Sequence, residues 1–238
     1  MFRALIQRLF TLGGAGLPSQ CAICHAWPRD PFCSDCKARF VRPAQRCRTC
    51  ALALPEGVAQ CGACIREPPP LQQCLAAVDY AYPWDECLKQ FKFRDQVGAA
   101  ASLAALIQQT PGAAAALAQS DLLLPMPLAA ERLRERGYNQ ALLLARQLAP
   151  DKTRAQLLLR IRHTPPQHGL TRAQRLRNLR GAFLVEPLQA AQVRQRRILL
   201  VDDVMTTGAS LHAAALALRS AGAASVGALV VARTPIHS

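Results

Sequence analysis

The clearest hydrophobic pattern of the chain lies near its C-terminus. Residues 198–201 form a short, continuously apolar run, which is typical of a strand covered on both faces of a sheet. Two acids, Asp202 and Asp203, follow the run, and a Thr-Thr-Gly turn comes next. An apolar helix is predicted to begin near Ala209. The pattern therefore predicts a buried strand that ends at two carboxylates, then a turn, then a helix.

Short apolar runs and helical periodicity also alternate upstream and downstream of this stretch. The runs predict strands over residues 76–82, 121–125, 182–186 and 226–232. Helical spacing predicts helices over residues 84–93, 97–108, 112–119, 140–148 and 211–221. Asn139 is well placed to cap the helix that begins at residue 140. Strands alternating with helices predict an α/β fold with a mostly parallel sheet flanked by helices.

The first 70 residues show neither pattern and are predicted to be a separate N-terminal domain. The stretch REPPPLQQ reads as a linker, because its prolines neither donate backbone hydrogen bonds nor continue a helix. We therefore predict a small domain over residues 1–70 and an α/β domain over residues 71–238. Arg8 interrupts the apolar N-terminal segment, which favours a short amphipathic helix over a signal peptide. No apolar run reaches the length of a membrane span.

Eight of the ten cysteines form four CxxC pairs within the predicted small domain. The pairs are Cys21/Cys24, Cys33/Cys36, Cys47/Cys50 and Cys61/Cys64. Two such turns complete a tetrahedral zinc site, so we predict structural Zn²⁺ bound by the first two pairs and by the last two. Interleaved pairing also fits the spacing. Two alternatives to metal binding are disfavoured. Disulfides need an oxidising compartment, which nothing in the sequence indicates. A thioredoxin-like redox site has a single CxxC in a βαβ context, which these four pairs lack.

The charge of the chain indicates anionic partners. Its 29 Lys and Arg residues outnumber its 15 Asp and Glu residues, giving a net charge of +14. Phosphorylated metabolites, nucleic acid and acidic membranes all suit that charge. The stretch from residue 160 to residue 180 contains no acid. Its arginines are Arg160, Arg162, Arg172, Arg175, Arg177 and Arg180.

The turn after the two acids has the chemistry of a phosphate site. Backbone N–H groups at the start of a helix are free to converge on an anion, and Gly lets the backbone come close to it. The residues concerned are Thr206, Thr207, Gly208, Ala209 and Ser210. Asp202 and Asp203 suit two neighbouring ribose hydroxyls. The stretch thus predicts a receptor for a ribose 5-phosphate; simple helix capping is the alternative.

The whole string from residue 198 to residue 210 closely resembles the phosphoribosyl-pyrophosphate (PRPP) signature of type I phosphoribosyltransferases. The chain as a whole resembles the ComF family, the competence-protein-F or GntX type of phosphoribosyltransferase-like protein. The matching segments are the CxxC-rich head, Phe-Lys-Phe at 91–93, Pro-Met-Pro-Leu at 125–128, the segment 132–140, Thr-Pro-Pro-Gln at 164–167, the segment 175–178 and the PRPP string.

The resemblance implies a type I phosphoribosyltransferase fold that binds PRPP, with Mg²⁺, at residues 202–210. It also implies a pyrophosphate loop at residues 125–128. We add Pro127, Leu128 and Asn139 to the predicted PRPP-binding residues. Arg134 or Arg136 is predicted to neutralise the departing pyrophosphate, which makes these arginines and the two acids the predicted catalytic residues.

The resemblance further implies a role in handling imported DNA, during competence or nutrient use. An alternative is a non-catalytic protein that binds PRPP or acts as an adaptor for single-stranded DNA or for a protein of the uptake machinery, such as its helicase or another competence protein. Scarce aromatic residues in the basic stretch weaken the case for direct DNA contact. We expect the protein to be cytoplasmic.

Overall fold

The structure is a computed structural model that describes residues 20–27, 30–93, 97–161 and 181–235. The chain divides into two compact units, Met1–Val41 and Arg42–Ser238. The second pair of CxxC motifs therefore belongs to the same unit as the sheet. The predicted boundary near residue 70 stays a prediction. The predicted N-terminal helix, the motif at 164–167 and the arginines at 162, 172, 175, 177 and 180 lie outside the described residues.

The first unit contains one described helix, α1 (Ser34–Phe40). Cys33 caps it, because the Cys33 sulfur accepts a hydrogen bond from the Cys36 N–H at 3.4 Å. Phe32 is buried beside this cap and is the one large apolar side chain among the buried residues described in this unit. A unit with so little apolar volume depends on other interactions for its stability.

The second unit alternates strands and helices in the predicted order. Its strands are β1 (Cys74–Asp79), β2 (Leu122–Pro125), β3 (Leu158–Arg160), β4 (Phe183–Val185), β5 (Arg197–Met205) and β6 (Ser225–Arg233). Its helices are α2 (Gly62–Arg66), α3 (Trp84–Phe93), α4 (Ala99–Gln108), α5 (Ala113–Gln119), α6 (Ala130–Arg136), α7 (Gln140–Leu148) and α8 (Ala209–Ser220). Short 3₁₀ turns occupy Pro150–Lys152 and Pro187–Gln192.

Four parallel strands form the main sheet in the order β1-β6-β5-β2. Every residue of β5 from Ile198 to Val201 is buried. Because neighbouring side chains of a strand point to opposite faces, both faces of β5 are covered, as the continuous apolar run predicts. Helix α7 packs on β2 and β5, and α8 packs on β4, β5 and β6. The predicted parallel α/β fold is confirmed.

Several features of the strands differ from the sequence-based expectation. β1 ends at Asp79 rather than at residue 82, and β3 was not predicted. β5 does not end before the acids but continues through Asp202 and Asp203 to Met205, because β6 pairs with it as far as Arg233. The predicted strand at 182–186 forms as β4, but it pairs antiparallel with β3 outside the main sheet. Among the described residues, no helix is both long enough and apolar enough to cross a membrane.

Candidate functional site

The carboxyl ends of β2 and β5 open onto one cavity of about 400 Å³. Pro125 lies opposite Val201 in the register of these strands, so the loop after β2 lies beside the acids of β5. Both acids line the cavity, together with Thr206 and Ser210. Ligands of parallel α/β sheets bind at this edge, beyond the strands' carboxyl ends. The structure thus brings the predicted ribose and phosphate residues together at a suitable place.

Lys92 also lines the cavity, although the sequence had not indicated that it belongs to the site. Its ammonium lies 3.1 Å from the Asp203 carboxylate, and the two side chains are only 19% and 10% exposed. Helix α3 brings Lys92 to the cavity, and Phe91 beside it is fully buried. The position of Lys92 between two phenylalanines was the feature of the sequence that could have indicated its place in the site. The ammonium of Lys92 balances the charge of the Asp203 carboxylate.

Asp202 has a strongly perturbed carboxyl group. Burial and, to a smaller extent, the negative charge of Asp203 raise the pKa of Asp202 to about 8, although Lys92 works in the opposite direction. The Asp203 N–H donates a hydrogen bond to Asp202 Oδ1 at 2.9 Å. The two neighbouring acids therefore differ: Asp203 is ion-paired, whereas Asp202 holds its proton near neutral pH. Strongly shifted carboxyl groups in a cavity are typical of functional sites.

Arg136 is the predicted arginine that reaches the cavity. Its guanidinium stacks on the Phe93 ring, 4.8 Å from the centroid, and donates from Nη1 to Gln140 Oε1 at 3.2 Å. Its Nε is buried and has no hydrogen-bond partner within the described part of the chain. Burial lowers the pKa of Arg136, and the charge of Asp203 opposes that shift. Arg136 thus lines the cavity and has one buried donor without a partner within the described residues.

The other arginines of the site differ from the expected set. Arg134 is exposed and is absent from the described lining of the cavity. Arg132, from the same helix, and Arg160, from β3, line the cavity instead. Helical geometry explains why Arg132, and not Arg134, lines the cavity with Arg136. Arg132 and Arg136 are four residues apart and share one face of α6. Arg160 comes from β3, a strand that the sequence did not predict, in the antiparallel pair of β3 and β4.

The phosphate loop, defined as residues 206–210, connects β5 to α8. Helix α8 begins at Ala209, as predicted, with Gly208 at its N-cap in the left-handed region at φ 81°. Thr207, Gly208 and Ala209 line a smaller cavity of about 40 Å³, which shares Asp202, Thr206 and Ser210 with the main cavity. First-turn N–H groups of a helix lack acceptors within it, so the loop can bind an anion beside the acids.

Pro127, Leu128 and Asn139 also line the main cavity. Asn139 caps α7 as predicted, because its side-chain oxygen accepts from the Leu142 N–H at 3.2 Å. Its amide nitrogen donates to the Met126 carbonyl at 3.0 Å. Asn139 therefore holds the loop after β2 against the start of α7. Its predicted contact with PRPP stays a prediction.

The eight cysteines of the CxxC motifs form two groups, each with four sulfurs within 4.8 Å of one another. The first is Cys21, Cys24, Cys33 and Cys36, and the second is Cys47, Cys50, Cys61 and Cys64. We call them the first and second cysteine clusters. The predicted pairing of neighbouring motifs is confirmed, and interleaved pairing is excluded. Cys74 and Cys87 lie outside both clusters and are buried, and burial raises the pKa of Cys74 to about 12.

One sulfur–sulfur distance in each cluster matches a tetrahedral zinc site. Zn–S bonds of about 2.3 Å place ligand sulfurs about 3.8 Å apart. Cys24 and Cys33 have sulfurs 3.7 Å apart, as do Cys50 and Cys61. Burial raises the pKa of Cys47, but backbone N–H groups outweigh that effect and lower the pKa to about 7. Thiolates are the form that binds zinc, so both clusters could hold it.

Comparisons with known proteins agree with this architecture. Residues 135–237 match the family model described as phosphoribosyl transferase domain. The chain is 33% identical to the DNA utilization protein YhgH of Salmonella typhimurium, covering 92% of this chain and 98% of that one. It is 31% identical to competence protein F of Haemophilus influenzae and 30% identical to competence protein ComFC of Bacillus subtilis. These matches cover 82% and 87% of this chain and 86% of each relative.

Proposed function

The chain belongs to the ComF family of phosphoribosyltransferase-like proteins, and from this premise we propose that it binds PRPP and transfers its phosphoribosyl group, with release of pyrophosphate. The observation that carries the proposal is the junction of β5 and α8, where an acid pair and an anion-binding loop line adjoining cavities. Relatives named for competence and DNA utilization support a role in the handling of imported DNA. We place that role in the cytoplasm.

Each part of PRPP has a matching group in the proposed site. The phosphate loop binds the 5-phosphate through backbone N–H groups and the hydroxyls of Thr206 and Ser210. Asp202 and Asp203 accept hydrogen bonds from the two ribose hydroxyls. The pyrophosphate lies toward the loop after β2 and toward Arg136, which lines the cavity and supplies positive charge. Oxygen ligands and phosphates suit Mg²⁺, which when bound with PRPP neutralises pyrophosphate charge.

The protein's part in the reaction is positioning and charge stabilisation. The bond between carbon 1 and the pyrophosphate oxygen breaks, and its electron pair leaves with pyrophosphate. Arg136 stabilises the negative charge that develops there, while the two acids stabilise the positive charge on the ribose ring. The acceptor's lone pair then forms the new bond to carbon 1, and the acceptor's proton passes to solvent water. A nitrogen of a base or of an ammonia-like group fits this step.

Pyrophosphate release from PRPP, assayed across a panel of bases, tests the proposal together with calorimetric binding of PRPP and Mg²⁺. Binding with acceptor-dependent release supports the transferase. Binding with no release for any acceptor supports the non-catalytic alternative, a PRPP-binding adaptor. Wild-type protein that binds no PRPP contradicts both. In the adaptor case, the net charge of +14 predicts single-stranded DNA binding that weakens steeply with salt.

We also propose that each cysteine cluster holds one structural Zn²⁺. Protein purified under reducing conditions should contain about two zinc ions per chain, bound by all eight thiolates. The first unit should lose its fold on chelation, because it has little apolar core of its own. Elemental analysis and circular dichroism provide the measurement. Folded, metal-free protein would contradict the assignment.

The raised pKa of Asp202 predicts that PRPP affinity depends on pH. Ribose hydroxyls bind the ionised carboxylate more strongly, and an acid with a pKa of about 8 is mostly protonated at pH 7. We expect the affinity to rise about tenfold between pH 7 and pH 9, where phosphate groups with a pKa of about 6 no longer titrate. Calorimetry in matched buffers measures it. The same rise in Asp202→Asn would contradict the attribution.

The raised pKa of Asp202 also makes the free energy of unfolding depend on pH. The folded-state pKa of Asp202 exceeds the unfolded value of 3.8, so the folded protein binds more protons between these values. The contribution of this group to the free energy of unfolding is therefore present below pH 4 and is lost as the pH rises toward 8. Asp202→Asn should raise the melting temperature of ligand-free protein at pH 8, by about 2–4 °C for each kcal/mol recovered.

A further inference from the structure

Arg233 is a buried cation at the end of β6 whose Nε and Nη1 donate to backbone carbonyls. It is 6% exposed. Its Nε donates to the carbonyl of Cys50 at 2.8 Å. Its Nη1 donates to the carbonyls of Met205, at 3.2 Å, and of Thr206 and Thr234. One guanidinium thus joins three separate parts of the chain: the second cysteine cluster, the end of β5 and the residue after β6.

The two ends of this bridge are functional elements. Cys50 is one of the four thiols of the second cluster, and Thr206 is the first residue of the phosphate loop. A guanidinium is planar and its donors have a fixed geometry, so the carbonyls it binds are fixed relative to one another. Burial of a charged group is costly unless its hydrogen bonds are satisfied, which makes this arrangement intolerant of displacement.

Further contacts hold the same segments together. Arg46 donates from Nη1 to the carbonyl of Ala51, at 3.2 Å, and to the carboxylate of Asp79, at 2.7 Å. Asp79 lies opposite Arg233 in the register of β1 and β6. The Cys74 sulfur contacts the Met205 sulfur at 3.5 Å. The cysteines of the second cluster also belong to the core that contains Met205 and Ala209. The cluster is therefore part of the packing that supports the phosphate loop.

We propose that Arg233 is a positioning residue through which metal binding at the second cluster fixes the phosphate loop. With metal bound, the Cys50 carbonyl is fixed, Arg233 is oriented by it, and the Thr206 carbonyl is held toward Arg233. The N–H groups of the following residues then face the cavity. Loss of the metal frees Cys50, and the loop loses its support. This inference rests on the proposed function in one respect, because it takes PRPP as the ligand of the phosphate loop.

Coupling of this kind is reciprocal. If the metal strengthens binding of PRPP, then PRPP must strengthen binding of the metal by the same factor. The first cluster lies in the other compact unit and makes none of these contacts within the described residues, so it serves as the internal control. A purely structural role for Arg233 would lower stability without linking the two ligands.

The test uses full-length protein with Cys21→Ser and Cys24→Ser, so that zinc is measured at the second cluster alone. Zinc affinity is determined by chelator competition with and without saturating PRPP and Mg²⁺. We expect PRPP to tighten zinc binding about fivefold or more. Arg233→Lys, which cannot reproduce the planar set of donors, should keep one zinc and abolish this linkage. Arg197→Lys, an exposed arginine paired with Asp121 at the other end of β5, should keep it. Linkage that survives in Arg233→Lys overturns the proposal.

A second measurement needs no PRPP and separates this inference from the proposed function. Hydrogen exchange of residues 206–210 should accelerate about tenfold when zinc is removed, with residues 226–232 of β6 as the reference for global unfolding. In zinc-bound Arg233→Lys the same amides should already exchange fast. If wild-type protein binds no PRPP, the proposed function fails while this result still decides the inference. Exchange at 206–210 that is unchanged in zinc-bound Arg233→Lys overturns it.

Discussion

At pH 9, above the pKa of Asp202, the double variant Asp202→Asn/Asp203→Asn is expected to bind PRPP with Mg²⁺ at least tenfold more weakly than the wild type. Asparagine keeps the size of each side chain but removes its charge and half of its accepting capacity. Each lost charge-assisted hydrogen bond should cost about 1.5–3 kcal/mol, and each 1.4 kcal/mol is a factor of ten in affinity. Isothermal titration calorimetry measures the change. The fold should survive, because neither carboxylate belongs to the apolar core.

Asp121→Asn provides the matched control for this pair. Asp121 also accepts hydrogen bonds from an arginine on β5, Arg197, but at the opposite end of the strand from the cavity. Its replacement should leave PRPP affinity unchanged. The single variant Asp203→Asn separates two effects, because it also leaves Lys92 without the carboxylate that lies 3.1 Å away. A double variant that binds PRPP as tightly as the wild type would refute the assignment of the acids.

The elements of the main sheet were predictable because their signals are local. The apolar run before Asp202 predicted a buried strand, and Gly208 followed by an apolar stretch predicted a helix start. Cysteine spacing predicted two four-thiol groups, because short intervals favour pairing of neighbouring motifs. The length of β5 was not predictable in this way. Val204 and Met205 continue the strand because β6 supplies pairing partners for them, and that pairing joins residues far apart in the chain.

The site, like the fold, was predictable where its residues are close together in the sequence and not where they are far apart. Residues 202–210 are contiguous, so a single stretch of sequence revealed the acid pair and the phosphate loop together. Lys92, Arg160 and Arg233 come from three other elements and reach the site or its support only through the packing of the sheet. A solvated lysine and a buried one look alike in sequence. Periodicity could have favoured Arg132 over Arg134 as the partner of Arg136, since residues four apart share a helix face.

Gly208→Val is expected to abolish measurable PRPP binding and to lower the stability of the second unit as well. A Cβ atom at this position would lie 2.4 Å from Met205 Cε and 3.0 Å from His212 Nε2, and both neighbours are buried. The backbone there has φ 81°, a conformation that costs a residue with a side chain about 1–2 kcal/mol. Overpacking adds about 1–3 kcal/mol because Met205 Cε and the His212 ring must move, and the branched side chain fills the space beside the N–H groups of the phosphate loop.

Gly57→Val is the control that separates backbone strain from overpacking in Gly208→Val. Gly57 has the same φ of 81°, but a Cβ there would meet no atom within 4 Å. Its replacement should therefore cost only the strain of the left-handed conformation and should leave PRPP affinity intact. Thermal unfolding and calorimetry of both variants provide the comparison, with Gly208→Val falling below Gly57→Val in both. Equal losses of stability, or PRPP binding retained by Gly208→Val, would show that the loop tolerates displacement and that its N–H groups do not hold the 5-phosphate.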